Sequence, residues 1–391
     1  MVSTRINAAR LIDGVSDHAS TSTIAFGDTI ETVENIDDLV VRQGAEQYSV
    51  LPGLVDAHVH LSLSGELFEG WRNARSDALY AMEAYRNGQN HLDNGVTTVR
   101  DLGGIRNTAI QLRNAVKAGV VEGPTIRSSG RWLCVSGGHG SIYGNEADGA
   151  AGFTAAARQE IALGADLIKV MATAGALAEE GRDPNTTQLE ADEFTAIANV
   201  AKAAHAPVAI HAHSEDAALL AIRSGAASIE HGTWLSDATI DAMLERGTAL
   251  VPTLTVMDYV SAGDPVQQAI VDRMMDDKLV WLAKAIEVGV KIVTGTDAGA
   301  PKTPHGLVPH EIVRLVEVGM SPMGALKAGT SAAGELVTGG DRGKLVAGAP
   351  ADLMIVKGDP LERIGAIRDV VCVIQGGKVV RGKVPAELLA D

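Results

Sequence analysis

The chain has 391 residues, 33 Lys and Arg against 49 Asp and Glu, a formal net charge of −16, and 46% hydrophobic but only 3% aromatic residues. So acidic a chain offers no basic stripe to displace counterions from phosphates, which argues against nucleic acid as a partner. Two cysteines far apart in sequence, Cys134 and Cys372, suggest neither a disulfide framework nor a thiolate zinc site, and no apolar run approaches membrane-spanning length.

The first ten residues hold no apolar core of signal-peptide length, so the expected location is cytoplasmic. Residues 1–48 carry short strand-like segments separated by Gly and Asp turns, and residues 341–391 repeat that pattern. Both ends are assigned to one small β-sandwich. Between them, residues 49–340 show apolar, β-branched runs at 49–61, 96–102, 125–135, 165–171, 207–213, 227–231, 249–254 and 290–294. Ala-rich amphipathic stretches at 78–94, 152–163, 190–204 and 217–224 fall between them. Eight strands alternating with helices predict an α/β fold, a (β/α)8 TIM barrel, whose reactive residues sit at the C-terminal strand ends.

Candidate residues appear at those ends in chain order. The first strand closes on His58-Val59-His60, and residues two apart on a strand face the same side, so two imidazoles are presented together. Lys169 lies inside the apolar run Ile168-Lys169-Val170-Met171, where a buried ammonium needs a partner or a modification; pairing with Asp166 or snorkelling are the plain alternatives. The fifth strand ends His211-Ala212-His213, the sixth ends Glu230-His231, and the eighth delivers Asp297 into a Gly-rich turn. Each histidine alone also reads as a core histidine, and Asp297 alone reads more often as a helix N-cap. Together they are the nitrogen and oxygen ligands that zinc and similar ions accept.

In these motifs the chain resembles the amidohydrolase superfamily, from Leu51-Pro52-Gly53-Leu54-Val55-Asp56-Ala57-His58-Val59-His60 to Gly343-Lys344-Leu345. Gly137-Gly138-His139-Gly140, Lys169-Val170-Met171-Ala172-Thr173-Ala174-Gly175 and Ile229-Glu230-His231-Gly232 look most like its imidazolonepropionase-related branch, with Xaa-Pro and Xaa-Arg dipeptidases, arginine carboxypeptidases and ochratoxinase-like amidases. Ala174 departs from the branch, where many relatives have a second Gly. The resemblance implies two divalent ions, zinc being the expected metal. His58, His60 and Asp297 would hold one, His211 and His231 the second, with Lys169 bridging as an N6-carboxylated lysine; whether His211 or His213 is the fifth-strand ligand stays open.

The implied reaction is hydrolysis of an amide by water activated between the ions, with Asp297 as proton shuttle and His139 donating to the carbonyl oxygen as charge develops there. Read without the family, His139 is equally a solvated loop histidine. His213, Trp71, Trp132, Tyr143 and Arg131 are candidate substrate contacts on predicted catalytic-face loops, with Arg106 a second cation and His305 a further histidine on that face. Local core packing is the alternative for the aromatic residues. A carbamate, lactone or phosphotriester hydrolase is the second reading of the site. A mononuclear heterocycle deaminase, with Glu215 as its acid, is the third. The expected partner is a small-molecule substrate, and a homo-oligomer is compatible with this reading.

Overall fold

The computed structural model describes residues 3–36, 40–66, 75–177, 181–261 and 263–390. Alternating apolar residues near the N-terminus form an antiparallel meander of β1 (Thr4–Leu11), β2 (Ser20–Phe26) and β3 (Ile30–Asn35). β4 (Tyr48–Pro52) joins this sheet as the parallel neighbour of β1. Gly53 then carries the chain directly into β5 (Leu54–Val59), the first barrel strand. A Cβ on Gly53 would lie 2.2 Å from the Thr97 hydroxyl oxygen, so only glycine lets the two strands approach there. The run at 49–61 is therefore two strands serving two sheets, a correction to its reading as one.

β6 (Val96–Asp101) and β7 (Thr125–Ser128) continue in parallel from β5. The second barrel sheet holds β8 (Leu133–Cys134), β9 (Asn145–Glu146), β10 (Ile168–Met171), β11 (Val208–Ala212), β12 (Ser228–His231) and β13 (Ala249–Val251), in the order β13-β12-β11-β10-β8-β9. The expected strand at 125–135 is broken because the backbone is drawn to a carboxylate, Arg131 N donating to Glu160 Oε2 at 3.1 Å. Asp166 N donates to Ser128 O and links the two sheets. The segment at 290–298 is not a continuous strand. It closes the barrel through isolated bridges of Ile292 with Leu250 and Ala298 with Val59. Asp297, held at φ 56°, leaves the β region and interrupts the ladder.

Every residue of β5, β6 and β10 to β13 is buried, as a parallel sheet covered by helices requires. Helices Asp77–Asp93, Gly149–Ala162, Ala191–Ala204 and Glu215–Arg223 follow the expected stretches, and Ser76 and Ser214 cap two of them by accepting from Leu79 N and Ala217 N. A 23-residue helix, Pro265–Glu287, lies beyond β13. β14 (Leu353–Lys357), β15 (Val370–Gln375) and β16 (Lys378–Gly382) return to the first sheet, whose order is β16-β15-β14-β4-β1-β2-β3. Both ends thus build the small β-sandwich, with its own core around Ile6, Ile24, Phe26, Leu353 and Ile355. The architecture is a (β/α)8 barrel with that β module. No helix among the described residues is long and apolar enough to cross a membrane.

Candidate metal centre

The end of β5 brings His58 and His60 to Asp297, whose Oδ1 lies 3.3 Å from His58 Nε2 and 3.1 Å from His60 Nε2. Both rings are oriented from behind. His58 Nδ1 meets Glu230 Oε2 at 2.9 Å and His60 Nδ1 meets Gly103 O at 2.7 Å. A carboxylate and a carbonyl only accept, so Nδ1 carries the proton in both rings. Burial lowers His58 to about 4, with Lys169 adding to the effect, so this ring is neutral at physiological pH. Two Nε2 lone pairs then converge on an anionic oxygen, because His58, His60 and Lys169 pull Asp297 down to about 2 although burial opposes its ionisation. Electron pairs gathered this closely fit a cation between them.

A second group, His211, His213 and His231, offers ligand atoms all within 4.8 Å of one another, and His231 also groups with His58 and Asp297. His213 and His231 engage Thr233 Oγ1 and Thr253 Oγ1 through Nδ1, at 2.8 and 2.7 Å, which leaves Nε2 for the centre. Burial holds all three imidazoles well below their usual range. Both fifth-strand histidines therefore reach the centre. His211 Nε2 also lies 3.3 Å from the carbonyl of Ala174, the residue that departs from the branch motif. His231 and Asp297 adopt φ of 71° and 56°, a conformation disfavoured for residues with a Cβ and held here by the surrounding packing.

Lys169 is 1% exposed, and its Nζ has no hydrogen-bond partner among the described residues. Asp166 does not pair with it, because that carboxylate is bound by Arg113 and Arg127. Burial pushes the ammonium down to about 8 against the pull of Glu230 and Asp297. An orphaned, readily neutralised amine beside two clusters of ligand atoms fits conversion to a carbamate, which supplies two oxygens where the lysine supplied a poorly placed charge.

Three buried residues that the strand-end pattern does not pick out hold this arrangement. Arg100 donates to Glu230 Oε1 at 2.8 Å, to Ser228 Oγ at 3.0 Å and to Ala57 O at 2.6 Å, and Glu230 passes the order on to His58. Arg100 and His58 bring Glu230 down to about 2 despite its burial. Asp56 accepts from His58 N at 3.2 Å, Thr296 N at 3.0 Å and Thr296 Oγ1 at 2.7 Å, splicing β5 to the segment that carries Asp297. The alternation of Ser228 and Glu230 on one face of β12 was the available signal for Glu230.

The other candidates divide. His139 lines the cavity over the centre with its ring 4.6 Å from that of His211. Trp132 also lines it, edge-on to His60 at 5.4 Å, its Nε1 donating to Gly140 O. Tyr143 packs beside Trp132 in the adjoining apolar cluster and does not line the cavity. Arg131 does not reach the cavity, a correction to its expected role: its guanidinium is committed to Glu160 at 2.8 Å. Arg106 is exposed and paired with Asp77. His305 is buried behind the wall, donating from Nε2 to Leu63 O at 2.8 Å and accepting from His91. Glu215 is exposed in the first turn of its helix, outside the cavity lining. Trp71 lies outside the described residues.

Residues 49–380 match the amidohydrolase family model. The chain is 29% identical over 372 residues to ochratoxinase of Aspergillus niger, covering 85% of this chain and 76% of that one. It is 27% identical over 337 residues to imidazolonepropionase of Salinispora arenicola, covering 81% and 79%. Among solved structures, a Xaa-Pro dipeptidase with bound methionine in its active site aligns with a TM-score of 0.88 at 31% identity, covering 97% of this chain and all of that one.

Proposed function

Because the chain belongs to the amidohydrolase family and is a hydrolytic enzyme acting on carbon–nitrogen bonds, we propose that it hydrolyses an amide of a dipeptide, N-acyl amino acid or related small molecule with two divalent metal ions, most simply zinc. One observation carries the reading: His58, His60 and Asp297 on one side and His211, His213 and His231 on the other converge around the orphaned Lys169 amine. When bound, the ions would supply a water of lowered pKa and polarise the scissile carbonyl. N6-carboxylated Lys169 would bridge them.

The chain's own residues do the rest. Asp297, anionic and aimed at the shared space, accepts the proton of the attacking water and returns it to the leaving amine. His139, on the cavity wall, donates to the carbonyl oxygen as it gains charge. Glu230, through the His58 Nδ1 proton, keeps Nε2 of that ring available as a ligand. The test is metal analysis combined with an amide panel. Close to two divalent ions per chain, with cleavage of at least one dipeptide, N-acyl amino acid or aryl amide, is the expected result. A fully active preparation holding one ion per chain would overturn the binuclear reading.

A further inference from the structure

Two separate apolar clusters flank the centre, one on each side of the cavity. Leu63, Trp132 and Met171 stand on the β5 and β10 side. Val256, Met257 and Val260, on the helix Leu254–Val260, stand opposite, backed by Met274 and continued by Leu177. Beyond the histidines, Lys169 and Asp297, every described side chain lining the cavity is apolar. Among the described residues of the surrounding loops, Arg131 is engaged with Glu160, Arg106 with Asp77, and Arg75 with Glu66 and Glu83. Arg182 and Arg273 line a different pocket, which meets this cavity only at Ala176 and Leu177, so a group bound by them sits outside that wall.

We propose that the substrate is an uncharged amide carrying a large apolar group, aromatic or branched, on each side of the scissile bond, one against Trp132 and Leu63 and the other against Val256, Met257 and Val260. The inference rests on the proposed amide hydrolysis and narrows it, placing related neutral amides above the dipeptides and N-acyl amino acids that carry a free carboxylate. An apolar wall gains from every methylene removed from water, and the described side chains of these two walls have no charged partner to offer a carboxylate stripped of its hydration. Discrimination follows from the same physics, since one methylene in such a pocket changes specificity by roughly 10- to 200-fold.

The experiment compares matched pairs on the metal-replete enzyme: phenylacetyl anilide against phenylacetylglycine, and a leucyl-type acyl anilide against the same acyl group on glutamate. The neutral member is expected to have a kcat/KM at least tenfold higher in each pair. Val260→Thr and Met257→Gln, each checked for metal content and melting temperature, should lower kcat/KM for the neutral anilides at least tenfold and narrow their advantage over the charged partners. Equal or faster cleavage of the carboxylate-bearing members by wild type would overturn the proposal. If no amide is cleaved, amide hydrolysis itself fails, and thermal stabilisation by the non-hydrolysable ketone analogues of each pair still decides the question: stabilisation by the charged analogue equal to or above that of the neutral one overturns the apolar assignment.

Discussion

Glu230 Oε2 lies 2.9 Å from Nδ1 of His58 while Oε1 of the same carboxylate lies 2.8 Å from Nη2 of Arg100, so one side chain ties a buried cation on β6 to a histidine of the candidate metal centre on β5. Glu230→Gln keeps the size but leaves a single oxygen for three donors, His58 Nδ1, Arg100 Nη2 and Ser228 Oγ. If its amide N–H faces His58, Nδ1 becomes an acceptor and the proton moves to Nε2, which no longer ligates. Breaking the buried pair should cost about 3–5 kcal/mol of stability, and metal affinity should fall roughly 10- to 100-fold. Chemical denaturation and competitive metal titration measure the two effects, and wild-type values for both would remove Glu230 from this role.

Lys169→Ala should lose metal and activity together, and short carboxylic acids such as formate or acetate should restore part of both by filling the vacated space. The measurement is metal content and turnover against added acid. Full activity of Lys169→Ala without additive would make Lys169 a purely structural lysine.

Asp297→Asn keeps one oxygen near His58 and His60 but removes the base. Metal should largely stay bound while turnover falls by roughly 10²- to 10⁴-fold, the range for a lost general acid–base group. A variant retaining both ions and at least half of wild-type turnover would pass the shuttle role to His139 or His213.

Lys278, on the helix Pro265–Glu287, is 1% exposed and has no hydrogen-bond partner among the described residues. Burial pushes its ammonium down to about 8, against the pull of Glu311 and Asp297. Between pH 8 and the ordinary lysine range the unfolded chain binds a proton that the folded chain has released, so this residue adds stability as pH rises through that window. Lys278→Met removes the dependence. Its melting temperature should exceed that of wild type most at pH 7 and by a shrinking margin toward pH 10; a constant difference across that range would show that Lys278 does not titrate as described.

The converging histidines were legible because a strand repeats every two residues and a barrel displays its strand ends, so His58, His60, His211, His213 and His231 announce themselves in the sequence. Glu230 and Arg100 did not, because they are 130 residues apart and their pairing depends on which side chains the closed barrel brings together. The same limit explains Arg131: its loop was placed on the right face, but the nearby Glu160 captures its charge first. Periodicity also merged β4 with β5, since both are apolar and only Gly53 separates them.

That single-residue join makes the terminal β module an anchor rather than an appendage. The last residue of β4, paired with β14, and His58 are six positions apart along an extended, buried backbone, too short a tether to absorb a tilt of one body against the other. Strain placed on β4 or β14 therefore has a short covalent route to His58 and His60, and stiffening the outer sheet becomes a means of adjusting the candidate centre from a distance.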